Sequence, residues 1–308
     1  MTTTQVPLAG ILRAHEKWLA GSGDGRQADL SGRTLNDEDL HEVKLAKAFL
    51  TGATLLDANL AGADLSGAHM DRADLQRANL AGADLTAASM NSVELAGAWL
   101  RSASLSECQM MQASFRRAKM DRIQMLDASV HDSNFQQVSG ESANFHQSRF
   151  YDVDWSDSIL SYAQFYHARL QHATLRGIIA TGASFNCAKL DHCNWTRAQL
   201  DDAKFTRAEI LQCNFTEVDL RRADFREARM RGCSFDHAVL DGARFGGAHL
   251  HTVDFRGADL TGARELTQDQ LMQSLTDPST MLPNGARGPY MRFSGAEKPH
   301  RDNAPHGD

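Results

Sequence analysis

The sequence lacks most of the marks by which a chain declares its chemistry. Its five cysteines are an odd number without CxxC or CxxxC spacing, which excludes a disulfide framework or a zinc module as the organising element. P-loop, GxGxxG, HExxH and GxSxG motifs are all missing, so no cofactor and no catalytic activity are expected. No run is apolar enough to span a bilayer. The start, MTTTQVPLAGILRAHEKWLAG, has neither a basic lead into an apolar stretch nor a small-residue cleavage site, and a cytoplasmic location is expected. Positive charge is not in excess either. Over 308 residues, 32 Lys and Arg stand against 39 Asp and Glu, a formal net charge of −7, which argues against direct binding of nucleic acid or membrane.

What the chain does have is repetition. The string ANLAGADL occurs at Ala58 to Leu65 and again at Ala78 to Leu85, with starts twenty residues apart. Beneath it lies a period of five. A large apolar residue stands at Leu30, Leu35, Leu40, Leu45 and onward in phase to Leu260. Two positions earlier stands a small one, mostly alanine, from Ala48 to Ala263, with Cys, Ser and Val as exceptions. Neither helical nor strand periodicity accounts for a strict five, so the chain must turn a corner every five residues. The large and small residues point inward, and the other three, such as Gly and Asp in AGADL, are expected to face water. Glycine recurs two residues after the centre, at Gly52, Gly62, Gly67, Gly82 and Gly97, where a turn can use positive φ.

These residues resemble the pentapeptide repeat proteins, whose motif is A(D/N)LXX. ADLSG, ANLAG, ADLTA and ADLTG match it over roughly residues 28–263. The resemblance implies an all-β solenoid, a right-handed quadrilateral β-helix with twenty residues per coil. The expected size is about 12 coils and, at strand spacing, a rod on the order of 55 Å. Residues 1–27 are expected to form an N-terminal capping helix and flexible linker, with Leu8, Ile11, Leu12, His15, Trp18 and Leu19 on one helical face. Residues 264–284 are expected to form a C-terminal helix opened by a Thr267/Gln270 capping box, which caps the last coil or, as the resemblance implies, joins two copies as a homodimer. Residues 285–308 read as a disordered tail.

Folding the sequence by twenties sorts the core into walls. One runs Phe115, Phe135, Trp155, Trp195, Phe215, Phe235 and Phe255. The wall two corners away runs Phe145, Phe165, Phe185, Phe205, Phe225 and Phe245. Two aromatic ladders facing each other between aliphatic walls are expected. Gly140 and Ala180 replace large centres, which predicts a dent or irregular corner. Cys108, Cys193, Cys213 and Cys233 fall in the small inward register and read as buried hydrophobes, whereas Cys187 points outward.

On the surface, Asp132, Asp152, His172 and His192 form a column that is a weak candidate for cation binding. The candidates for partner contact are Tyr151, Tyr162, Tyr166, His167, Trp99, Ile159 and Ile179. The primary functional expectation is a noncatalytic protein interaction rod, an adaptor or scaffold. The resemblance adds a second. Some members of the family bind DNA gyrase or topoisomerase IV as duplex-shaped acidic mimics and protect it from quinolones. Here the Leu40 wall carries the largest acidic surplus, but Arg101, Arg122, Arg221 and Arg222 interrupt it, and loops that break the repeat phase are missing. A third reading is an accessory protein or effector of a bacterial secretion system.

Overall fold

The computed structural model describes residues 6–299, so the expected tail beyond 299 and the first five residues lie outside the described residues. Among the described residues the fold is an all-β parallel solenoid with two small helices. Its rung follows from where the amides go. The N–H of each centre donates to the carbonyl nineteen residues on, as Leu30 does to Phe49 at 2.7 Å, and the N–H two residues later does the same, as Gly32 does to Thr51 at 2.9 Å. The residue before a centre donates to the carbonyl twenty-one back, as Phe49 does to Ala28 at 3.0 Å. The N–H three after a centre closes the corner onto that centre, as Arg33 does to Leu30 at 3.1 Å. The fifth amide is taken by the motif's own Asp or Asn, as Ser31 N–H donates to Asp29 Oδ1 at 3.0 Å. Where Asp or Asn precedes the centre, every amide of the pentad is committed, and proline has no place there. All six prolines lie at position 7 or from 278 onward.

The corner position two after each centre has φ near +60°. Glycine fills it at Gly32, Gly52 and Gly62, but Asp37, Glu42, Lys47 and many others hold the same left-handed conformation. The cost to a residue with a Cβ is offset by the ladder bonds on both sides of the corner.

The described residues fall into two compact units, one ending at Ile159 and the other beginning at Leu160. In the first, helix α1 (Leu8–Leu19) precedes the repeats, which pair in parallel from Asp29↔Phe49 to Ser139↔Ile159. His15 of α1 is fully buried, stacks on Trp18 at 5.3 Å and accepts the Ala28 N–H on Nδ1 at 3.0 Å. The GSGDG segment, expected to be flexible, folds back on the helix. Lys17 pairs with Asp24, and a Cβ at Gly25 would sit 2.3 Å from Trp18 N, so only glycine fits there. Strands β1 (Gln109–Met111), β2 (Ser129–His131) and β3 (Arg149–Tyr151) are in register at twenty-residue steps. No irregular corner forms at Gly140. Its N–H donates to Ile159 O at 2.8 Å, and Val138, 1 % exposed, supplies inward volume from the small register.

The second unit holds β4 (Arg169–Gln171), β5 (Lys189–Asp191), β6 (Glu209–Leu211), β7 (Arg229–Arg231) and β8 (His249–His251). Counted on the eight strands of the described residues, the solenoid has about seven turns, not twelve coils. The difference is physical, because the leucine-rich pentads before residue 109 meet through single-residue bridges between tight corners rather than through three-residue strands. The aromatic ladders are present. Phe165, Phe185, Phe205, Phe225 and Phe245 stack 4.7 to 5.3 Å apart, and Phe215 stacks on Phe235 at 4.8 Å. Across the core the two series meet edge to face, Phe225 against Phe235 at 90°. Ala180 is fully buried without disturbing the ladder, its N–H donating to Gln199 O at 2.8 Å.

Helix α2 (Gln268–Met272) opens with the expected capping box, and the Gln270 side chain also donates to Phe245 O and Ala248 O at 3.0 and 2.8 Å. The chain then stays on the solenoid edge, with Asp254↔Leu275 and Asp259↔Met281 continuing the parallel bridges. The tail expected to be disordered from 285 is folded as far as residue 299. Arg287 pairs antiparallel with Met281, and the Tyr290 hydroxyl donates to Glu297 at 3.0 Å, with both side chains buried. Sequence composition masks this anchoring because two buried contacts suffice for it. Burial and the Glu297 carboxylate push the Tyr290 hydroxyl up to about 12.

Candidate interaction surface

The outward Asp and Asn of the motif are not simply solvated. Asp64, Asp74 and Asp84 each accept the N–H two residues on, so these side chains cap the corners and are largely unavailable to a ligand. Arginines take many of the remaining carboxylates. Some pairs lie within a pentad, as Arg226 with Asp224 and Arg256 with Asp254 at 2.6 Å. Others join rungs twenty residues apart, as Arg77 with Asp57 at 2.6 Å, Arg222 with Asp202 at 2.7 Å, Arg197 with Glu217 at 2.7 Å and Arg207 with Glu227 at 2.8 Å. The paired guanidinium holds the Asp57, Asp202, Glu217 and Glu227 carboxyls below the usual range. Sequence reading overlooked these rung-to-rung pairs, although the spacing of twenty was there to find them.

Of the residues proposed from the sequence, the second unit brings His172 and His192 together, with ring centroids 5.1 Å apart, and His192 Nδ1 lies 2.7 Å from Asp191 Oδ1. Asp132 and Asp152 belong to the first unit and occupy left-handed corners. Among the described residues no group of three or more His, Cys, Asp and Glu side chains is arranged to hold a metal ion. Tyr151 is exposed on β3, tilted against His131 at 5.8 Å. Tyr162 stands on a corner at φ 60° and lies over Gly182, where a Cβ would come within 2.8 Å of its ring. Tyr166 packs edge-on against His167 at 4.2 Å. Ile159 is exposed, whereas Ile179 is half-buried.

Trp99 is the most conspicuous aromatic on the first unit, 53 % exposed and covered on one side by the Lys119 ammonium 4.3 Å from the ring centroid. It borders an open notch of about 690 Å³ floored by Gly97 and flanked by Arg77 and Arg117. The inward cysteines offer no alternative site. Cys108, Cys193, Cys213 and Cys233 are buried, and each thiol donates to a carbonyl twenty-three residues earlier, as Cys108 does to Leu85 at 3.0 Å. Burial pushes Cys108 up to about 12 and Cys233 to about 11, far from thiolate chemistry at neutral pH. No helix among the described residues is long and apolar enough to cross a membrane.

The sequence finds no significant match among curated proteins. Among solved structures, a trypsin-treated variant of QnrB1, a plasmid-mediated fluoroquinolone resistance protein, superposes with a TM-score of 0.50 at 15% identity. That match covers 56% of this chain and 88% of QnrB1. HetL of the cyanobacterium Nostoc sp. strain PCC 7120, a pentapeptide repeat protein involved in heterocyst differentiation regulation, aligns at 21% identity with a TM-score of 0.28. The alignment covers 92% of this chain and all of HetL. The family model for pentapeptide repeats matches in eight copies, at residues 35–71, 55–91, 68–106, 88–125, 141–177, 183–222, 213–251 and 233–264. The rung, its corner chemistry and these eight copies agree, and the chain belongs to the pentapeptide repeat family.

Proposed function

We propose that this protein is a noncatalytic protein-binding solenoid, an adaptor or scaffold whose right-handed, four-sided coil presents side chains for a partner to read. The observation that carries the reading is the exposure of Trp99, Tyr162 and Ile159, whose own amides are spent in the ladder on Ala78 O, Thr181 O and Val138 O. Aromatic groups held this way contribute contact area with little ordering cost. The test is affinity capture with the purified chain as bait, beside folded variants Trp99→Ala, Tyr162→Ala and, as a control on another surface, Thr206→Lys. A stoichiometric partner lost from one aromatic variant and kept by Thr206→Lys supports the proposal. Equal capture by all baits, or none by any, overturns it.

A second reading is an acidic mimic of duplex DNA that binds DNA gyrase or topoisomerase IV. The fold likeness to QnrB1 and the acidic surplus of the Leu40 wall favour it. Ion pairing weakens it, because Arg221 and Arg222 neutralise Asp219 and Asp202 on that wall. A supercoiling titration with and without a fluoroquinolone decides. Salt-sensitive inhibition or drug protection at submicromolar protein promotes the mimic, and no effect at about 50 μM removes it.

A further inference from the structure

We propose that the notch beside Trp99 is a binding site for an acidic peptide segment of a partner protein, in which carboxylates flank an aromatic residue. The proposal rests on the protein-binding reading and gives it a site and a ligand class.

The notch is built by one missing side chain. Asp57, Arg77, Gly97, Arg117 and Gln137 occupy the same left-handed corner at steps of twenty residues, and Gly97 alone among them has no side chain. Its two neighbours lean away from it. Arg77 reaches Asp57 through Nε and an amino group at 2.8 and 2.6 Å, and Arg117 donates from Nε to Gln137 Oε1 at 2.9 Å. The floor stays open as a result, and the Trp99 ring forms its side.

Charge decides what the notch takes. Its carboxylate, Asp57, is already neutralised by Arg77. Arg117 and Lys119 have no carboxylate partner among the described residues, and Lys119 rests on the Trp99 ring. Two uncompensated cations beside an exposed indole, in a chain with a net charge of −7, make a local reversal of sign. The amides of Gly97 and Trp99 are spent on Arg116 O and Ala78 O, so no backbone nest is available for a compact dianion. Separate cations and a flat ring suit singly charged carboxylates spaced along a chain, with an aromatic group between them to lie against the indole.

Calorimetry with the peptide acetyl-Gly-Glu-Tyr-Glu-Gly-amide, its Gln-Tyr-Gln isostere and inorganic phosphate tests the assignment on the full chain. The Glu peptide is expected to bind saturably with a Kd below about 1 mM, and the isostere at least about tenfold more weakly. Trp99→Ala, Arg117→Gln and Lys119→Gln, all at exposed positions, are each expected to weaken binding by about fivefold or more, while Thr206→Lys leaves it unchanged. Saturable binding that survives Trp99→Ala, phosphate binding tighter than the peptide, or no saturable heat up to about 5 mM peptide overturns the site. The two proposals fail separately. A captured partner indifferent to Trp99→Ala sinks the notch alone, and peptide binding without any captured partner sinks the adaptor reading.

Discussion

The inward alanine is the residue on which the rung depends. Ala203 is fully buried, and no amide in its pentad is free to relax, so Ala203→Leu is expected to cost about 1–3 kcal/mol through overpacking, while the outward Thr206→Lys stays within about 0.5 kcal/mol. Parallel urea denaturation measures both, and equal losses would contradict the inward and outward assignment. Trp195 makes a subtler case. Its indole N–H is buried without a hydrogen-bond partner, while its ring stacks on Phe215 at 5.8 Å. Trp195→Phe gives up ring volume but removes an unsatisfied donor, so the expected change is below about 1.5 kcal/mol, against about 3–5 kcal/mol for Trp195→Ala. At this scale the sequence was highly legible. Register alone put the core residues and four of the cysteines inside. It left the Asp of the motif facing water, because an acceptor that caps its own corner looks like any exposed acid until the backbone is known.

Among the elements, α1 has a chemical condition on its attachment. His15 must be neutral to accept the Ala28 N–H on Nδ1, and burial lowers its pKa from the ordinary value of 6.5. Protonation is therefore resisted in the folded state. The stability it contributes is complete above about 6.5, and is lost as pH falls from there through the lowered folded value. The Ala46 backbone, then the Asp64 and Glu16 carboxylates, oppose the shift without reversing it. Hydrogen exchange at residues 8–19 and at Ala28 is expected to quicken between pH 7 and 5 ahead of the repeats, and His15→Gln is expected to flatten that dependence. The helices themselves were readable from apolar spacing and a capping box. The anchored stretch from 285 to 299 was not, because Tyr290 and Glu297 are two buried residues in a polar, glycine-rich context that offers no period to read.

For the molecule, stability is expected to accumulate from nearest-neighbour rungs in each unit, since each rung bonds to residues about twenty positions away. Much of the surface charge is tied into pairs such as Asp57 with Arg77 and Asp202 with Arg222, whose carboxyls titrate below their ordinary range. The contribution of such groups is full above about pH 4 and disappears as pH falls through their lowered values, so the melting temperature of the repeats is expected to hold from pH 7 to 5, where only α1 loosens, and to drop below about 4. A melting temperature unchanged at pH 3 would deny the pairs any part in stability. The twenty-residue period was legible at this scale, but the partners of surface side chains were not. Whether an arginine turns to its own pentad or to the next rung depends on rotamers, and the notch at Gly97 stays open because Arg77 and Arg117 turn away from it.

The four enclosed thiols also make the chain its own stopwatch. Each is buried while the rung around it is closed, and burial raises the Cys108 and Cys233 thiols to about 12 and about 11, so an alkylating reagent reaches an inward thiol only when its rung opens. Labelling at Cys108 times an opening in one unit, and labelling at Cys193, Cys213 and Cys233 times three successive rungs of the other. Mass spectrometry of a native chain exposed to iodoacetamide is expected to return distinct rates for these positions. Their order would tell from which end a stacked β-helix begins to come apart, without an added probe.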